Sequence, residues 1–402
     1  MEKRNKVLLI PDAYLGNQSG ATVAKIAKKL LLENGNEVFI FSPDIVVEST
    51  ENDGTKLFPR TPYRGIANWK EKKYSIEYED VLKKTEADVV FTLGSITNKN
   101  LCYLEIAKKR NLKVISKIFM QDFFCTKFYA NNIEGPCTKC LDSSYLEAFK
   151  NKCIIHKPID YVKTANAILI RKRLEKILPK IDYVITSTDE QIGYYQKFGV
   201  SQEKCVKIPL FFDDNRLKGI KPVMGDYFVC IAQNRVEKGF QYLKDILLYC
   251  DNSIKLIVAY NSNEQANIAI EKYGFREFIE NGMMEIKYDL KWETGLAELV
   301  ANSKGVIIPS IWPTTTEFGL LEALGYKKPV FCFDLGVHHE KIESNVNGFV
   351  ADLGDTRSMA KQLVQLNADD VLLAKVSNGA ELLYQEMTDW DNWKNELKLI
   401  GL

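Results

Sequence analysis

The chain has 402 residues, more than one ordinary α/β domain holds, so its length points to two domains of about 200 residues, each able to bury a full core. Its 54 basic and 53 acidic side chains leave a net charge of +1, which argues against a nucleic-acid partner and confines electrostatic readings to local patches. The early apolar run Val7 to Ile10 is stopped by Pro11-Asp12 and is too short for a signal-peptide core, and no segment approaches the about 18 apolar residues of a membrane span. Nine scattered cysteines fit a reducing compartment better than a disulfide framework. A cytoplasmic protein is expected, soluble or peripheral at the inner face of the membrane.

In chain order, short runs rich in β-branched and aromatic residues fall at Val7 to Ile10, Val38 to Phe41, Val89 to Thr92, Val114 to Phe119 and Tyr183 to Thr186, with amphipathic helical stretches between several of them. The segment Gly16-Asn-Gln-Ser-Gly20 follows the first strand and precedes a helix expected from about Ala21. Its glycines are four apart, so it is not the dinucleotide fingerprint G-x-G-x-x-G. Gln121 and Asp122 follow the fourth run; the amide can hydrogen-bond a hydroxyl but cannot titrate, and Asp122 reads equally as structural or functional. Cys125, Cys137, Cys140 and Cys153 form C-x11-C-x2-C-x12-C. Four thiolates at that spacing could close a structural zinc site, the alternative being free thiols. From Lys150 to Lys180 nine basic residues face two acidic ones, interleaved with Ile168, Leu169, Ile170, Leu174, Ile177 and Leu178. That pattern suits an anionic membrane surface or the solvated face of an ordinary helix.

Periodicity breaks in Pro209 to Gly225, a hinge-like stretch of prolines, glycines and paired aspartates. It restarts with Tyr227 to Ile231, Ile254 to Ala259, Gly305 to Ile308 and Val330 to Phe333, so a parallel, doubly wound sheet is expected twice. The boundaries read as 1–212 for one Rossmann-like domain, 213–388 for a second, and 389–402 for a terminal helix. Asp389-Trp-Asp391 has a metal-like spelling but reads as the cap of that helix. Ligands of such sheets bind beyond the carboxyl ends of the strands, so facing sheets would hold two substrates in a central cleft. Arg235 and Lys238 follow a strand of the second half directly. Thr314 and Glu317 form a T-x-x-E capping box that would start a helix at about Thr315, before Phe318, Gly319 and Leu320. Its free N–H groups and dipole would favour a phosphate. Glu322 sits among Leu321, Ala323 and Leu324, which suggests burial. Gly336 opens a loop carrying His338, His339 and Glu340; adjacent histidines without a third ligand are a weak zinc pattern.

Taken together, Glu317 to Ala323, Lys328-Pro329-Val330 and Gly336 to Glu340 resemble the donor-site signature of the GT-B glycosyltransferases, in particular glycosyltransferase family 4 (group 1). The resemblance implies that Arg235 and Lys238 neutralise the donor diphosphate, that Glu322 accepts hydrogen bonds from the ribose hydroxyls, and that Gly336, His338 and Glu340 line the phosphates and sugar. It implies that Gly16 and Gly20 belong to the amino-terminal glycine loop, that Gln121 and Asp122 lie near the reacting sugar, and that Trp390 to Leu402 crosses back onto the first domain. Departures are Asn234 and Val337 in place of glycines, a short interval between Arg235 and Lys238, Gln121 in place of a histidine, and Thr314 in place of the carboxylate that touches the transferred sugar. Glu317 either substitutes for that carboxylate or closes the capping box.

The expected activity is transfer of a sugar from a UDP- or GDP-sugar to a hydroxyl of a glycan or lipid-linked acceptor, in cell-surface polysaccharide or glycolipid synthesis. The resemblance implies retention of anomeric configuration and no required cofactor or metal. The alternatives are a GT-B nucleotide-sugar epimerase, which the presence of only three histidines disfavours, and a degenerate sugar-nucleotide-binding subunit.

Overall fold

The computed structural model describes residues 4–16, 19–62, 71–95, 98–132, 135–232, 235–315 and 317–402. The chain divides into two compact units, one of Met1–Asn132, Cys137–Phe212 and Asp389–Leu402, the other of Ile133–Pro136 and Asp213–Thr388.

In the first unit, strands β1 (Lys6–Pro11), β2 (Glu37–Ser42), β3 (Ser49–Thr50), β4 (Lys56–Pro59), β5 (Val89–Leu93), β6 (Lys113–Lys117), β7 (Tyr183–Thr186) and β8 (Cys205–Lys207) form one sheet in the order β8-β7-β6-β5-β1-β2-β4-β3. All neighbours are parallel except β3, which pairs antiparallel with β4. The sequence direction reverses between β1 and β5, where a doubly wound sheet opens a crevice. Residues on both faces are buried, which is why the central strands read as continuous apolar runs. Helices including Ser19–Glu33, Glu71–Thr85, Asn98–Lys109 and Ile159–Ile177 accompany the sheet. Aromatic rings fill the space between: Tyr78 lies 4.6 Å from Tyr103, and Phe123 stacks on Tyr195 at 4.4 Å.

The terminal helix, Trp390–Leu399, is capped by Asp389, whose carboxylate accepts from the Asn392 N–H at 2.9 Å. It buries Trp393 edge-on against Phe211, and Asn34 Nδ2 donates to the carbonyls of Lys394 and Leu402.

The second unit has strands β9 (Phe228–Ala232), β10 (Leu256–Tyr260), β11 (Met284–Tyr288), β12 (Gly305–Ile308), β13 (Val330–Phe333) and β14 (Gly348–Ala351), all parallel, in the order β11-β10-β9-β12-β13-β14. Its switch point lies between β9 and β12. Side-chain caps at Ser262, Asp355 and Asp369 start three of its helices. Among the described residues no helix is long and apolar enough to cross a membrane.

The strand expected to run to Phe119 ends at Lys117, because the chain turns into a tight loop in which the Gln121 N–H donates to the Phe128 carbonyl and the Gln121 carbonyl accepts from Cys125. Lys117 is enclosed at this end of the sheet. Its ammonium donates to the Ile208 carbonyl at 2.8 Å and the Ser187 hydroxyl at 3.2 Å, and burial pushes its pKa down to about 7. The unfolded chain keeps that lysine protonated up to about pH 10.5, so between the two values the unfolded state binds more protons and stability rises with pH. The Lys117→Met variant lacks this slope. Wild-type stability relative to that variant is expected to grow by up to about 1.4 kcal/mol per pH unit between pH 7 and 10, as read by urea denaturation across that range.

Candidate functional site

The loops that leave β9, β12 and β13 at their carboxyl ends are locked onto one another by backbone contacts. The Ile311 N–H donates to the Glu237 carbonyl at 2.9 Å, and the Val337 N–H to the Thr314 carbonyl at 2.8 Å. Two glycines permit this approach. A Cβ on Gly239, at φ +74°, would lie 1.6 Å from the Pro309 carbonyl oxygen, and one on Gly336, at φ +54°, would lie 2.3 Å from that of Thr314. The three loops therefore act as one platform at the switch point of the sheet.

Glu317 is the centre of that platform. Its Oε1 accepts from Lys238 Nζ at 2.5 Å and from the Ser310 hydroxyl at 2.8 Å, and its Oε2 lies 3.0 Å from Nε2 of His338, off the line of a hydrogen bond. Glu317 and His338 are both buried. Burial pushes the Glu317 carboxyl up, but the Lys238 ammonium and the His338 ring outweigh it and hold the group well below the usual carboxylate range. The expected capping box is not formed. The helix spans Phe318–Gly325, three residues later than the T-x-x-E spacing suggests, and Glu317 at its N-cap makes no capping bond because its carboxylate is turned into the ionic cluster. Thr314 lies fully buried in the loop before it.

On the next turns of that helix, Glu322 is also buried and its Oε1 accepts from Arg216, from Nη2 at 2.5 Å and Nε at 3.2 Å. Burial drives the Glu322 carboxyl upward and Arg216 opposes it, leaving the group raised. The guanidinium lies 5.1 Å from the Trp292 ring and 5.6 Å from that of Phe318. Gly319 sits in the first turn with only Ile308 near its Cβ position.

Residues 227–369 match the family model "Glycosyl transferases group 1". Along its full length the fold is similar to that of sucrose-phosphate synthase from Thermosynechococcus elongatus, with 12% identity, 99% of this chain and 98% of that one covered, and a TM-score of 0.68. It is likewise similar to Anabaena HepE in complex with UDP and glucose, with 14% identity, 99% and 100% coverage and a TM-score of 0.65. A third similar structure is the lipopolysaccharide outer core galactosyltransferase WaaB, with 15% identity, 98% and 99% coverage and a TM-score of 0.62. No curated protein matches the chain by sequence. The chain has the fold of the GT-B glycosyltransferases.

In this GT-B fold Lys238, Glu317, Phe318, Gly319, Gly336, His338 and Glu322 all lie on or beside one helix start. Arg235 is held apart by Glu237, whose carboxylate accepts from Nε at 2.5 Å, and is substantially exposed. The two histidines diverge: His338 is enclosed, whereas His339 is exposed and paired with Asp334 at 2.8 Å. Glu340 is half-buried on the short helix Val337–Lys341. Asn234 lies outside the described residues. Sequence reasoning missed Ser310, Arg216 and Trp292, which reach the site from distant or loop positions.

In the first unit, Gly16 accepts through its carbonyl from Lys25 Nζ at 3.0 Å, and Gly20 lies in the first turn of Ser19–Glu33 with open space at its Cβ position. Asn17 and Gln18 between them lie outside the described residues. Gln121 and Asp122 are both buried beyond β6, and the charge of Asp122 acts on the enclosed Arg171, which favours the structural reading of the aspartate. At the switch point between β1 and β5 the Ser95 N–H donates to Asp12 at 2.7 Å, while Arg60 reaches the Pro11 carbonyl and Asn100. The four cysteines lie near enough for Cys125, Cys153 and Cys137 to add to the burial that pushes the Cys140 thiol up to about 12. Yet among the described residues no group of three or more His, Cys, Asp or Glu side chains is placed to hold a metal ion, so the geometry gives the zinc expectation no support. Burial favours the protonated thiol at Cys125, Cys140 and Cys153.

Removing one partner of a buried ion pair strands the other. Lys238→Met should lower the unfolding free energy by about 3 kcal/mol, and adding Glu317→Gln should return more than half of that loss. Urea denaturation of the wild type, Lys238→Met, Glu317→Gln and the double variant measures this; a double-variant loss equal to the sum of the two single losses would show the pair to be uncoupled.

Proposed function

We propose that the protein is a glycosyltransferase that moves a sugar from a UDP- or GDP-sugar to a hydroxyl of a glycan or lipid-linked acceptor, with retention of configuration, in cell-surface polysaccharide or glycolipid synthesis. The observation that carries this reading is the platform at the β9–β12 switch point, where Lys238 stands beside the N-terminus of the helix Phe318–Gly325 and Glu322 follows along the helix. Negative charge grows on the leaving diphosphate as the glycosidic bond breaks, and a fixed ammonium together with helix N–H groups opposes that growth most in the transition state. Lys238 has three donors and spends one on Glu317, so the others remain for phosphate oxygens. Glu322 provides an acceptor for the ribose diol. The departing diphosphate takes the acceptor proton, a role that needs no protein base. HepE with UDP and glucose supports a uridine donor, and the galactosyltransferase WaaB supports a lipopolysaccharide-type acceptor.

For the acceptor's location, the helix Ile159–Ile177 leaves Ile159, Tyr161, Val162 and Leu169 about half exposed, beside the exposed Lys157, Lys163, Lys172 and Lys176. That mixture supports contact with an anionic membrane surface.

Thermal melting with UDP-, GDP- and ADP-sugars tests the donor reading: the matching nucleotide should raise Tm, and Glu322→Ala should weaken its binding roughly 10- to 100-fold. No shift with any of them, or a Glu322→Ala variant that binds like wild type, sinks it. Sedimentation with vesicles should show binding that rises with anionic lipid and falls when Lys157, Lys163, Lys172 and Lys176 are replaced by Gln.

A further inference from the structure

Arg216 belongs to the segment Asp214–Leu217, far in sequence from the helix it serves. Both of its contacts to Glu322, from Nε and from Nη2, converge on a single oxygen, Oε1. The guanidinium is held on more than one side, against Trp292 and against Phe318, and the Trp292 indole N–H donates back to the Arg216 carbonyl at 2.8 Å. The same segment is keyed into the helix at Gly325, where a Cβ would meet Leu217 at 2.3 Å, and its Asp214 accepts from the Tyr384 hydroxyl. A side chain fixed by two aromatic rings, two charge-assisted contacts and an anchored backbone has little freedom left to lose.

We propose that Arg216 is a positioning residue for the donor: it fixes the buried Glu322 carboxylate through Oε1 and so presents Oε2 to a vicinal diol such as the ribose of a nucleoside diphosphate. This rests on the proposed role of Glu322. A diol donates two hydrogen bonds and is best received by an ionised carboxylate, yet burial favours the neutral acid. Arg216 opposes that tendency; the groups whose charge acts on Glu322 or is acted on by it are Arg216 and, from the end of its own helix, Tyr326. With the cation removed, the enclosed carboxyl takes up a proton at higher pH, and the acceptor is lost.

Calorimetric titration of the full chain with UDP, GDP and ADP between pH 6 and pH 8 tests the role. Comparing each variant with wild type at the same pH cancels the titration of the nucleotide's own phosphate. For the nucleotide that binds, the ratio of Arg216→Gln to wild-type Kd should widen by roughly 10-fold as pH falls through this range, whereas Arg216→Lys, which keeps a cation, should hold a nearly constant ratio. The double variant Arg216→Gln/Glu322→Gln should bind no more weakly than Glu322→Gln alone, because Arg216 acts through that carboxylate. A ratio that does not change with pH, or additive losses in the double variant, overturns the role. Binding of nucleotide by wild type together with an unaffected Arg216→Gln overturns it while leaving the donor site standing. Absence of binding by wild type to all three nucleotides removes the donor site, and this role with it.

Discussion

A carboxylate enclosed in protein has to be answered by positive charge and by hydrogen-bond donors, and Glu317 imposes that requirement on the whole carboxyl-terminal end of the second sheet. Lys238 arrives from the loop after β9, Ser310 from the loop after β12, and His338 from the turn after β13. Each of those loops must come close to the others for the three groups to converge, and Gly239 and Gly336 are the positions where backbone passes too near for a side chain. The helix start moves with the same constraint. A Glu317 turned inward does not cap the N–H groups of the turn that follows, and that helix start lies beside the charge of Lys238. The proposed anion site thus sits where one buried acid is satisfied.

Glu322 answers the same physics with a different partner. One buried carboxylate is held by a lysine and the other by an arginine, and the difference suits their surroundings. A lysine ammonium is a compact point charge that can serve Glu317 and a phosphate together. The planar guanidinium of Arg216 lies against aromatic rings and turns two donors onto one oxygen. The consequence for Glu317 and Glu322 is opposite. Lys238 and His338 draw Glu317 below the carboxylate range, while burial still leads at Glu322 and keeps it raised.

The inner strands were legible because apolar β-branched runs of four or five residues, buried on both faces, leave a continuous signal. The edges were not. Met284–Tyr288 alternates apolar and charged residues with one side wet, and Cys205–Lys207 is three half-buried residues at the margin of its sheet, so neither stands out from a loop. At the site, residue types were readable and their partners were not. The T-x-x-E spacing is the same whether the glutamate caps a helix or is buried in a cluster, and the choice is made by Lys238, 79 residues away. Arg216 sits 106 residues from Glu322 in a stretch that reads only as a break in periodicity. No local pattern carries either fact.

Thr314 remains the informative departure. At a position where the resemblance would place a sugar-touching carboxylate, the chain has a buried threonine whose backbone supports the Gly336 turn, and Glu317, three residues on, has one oxygen taken by Lys238 and Ser310 and the other facing His338. In this arrangement Glu317 orients the lysine. In the proposed transfer, the burden on the protein is electrostatic, to stabilise the leaving diphosphate, and Lys238 with the helix terminus can bear it without a carboxylate at Thr314. What a carboxylate there would add is a contact to the sugar itself. In the proposed transfer its absence leaves sugar selection to other groups of the platform, such as the backbone of the Gly336 turn and Glu340, while Lys238 and Glu322 keep their proposed roles toward the nucleotide.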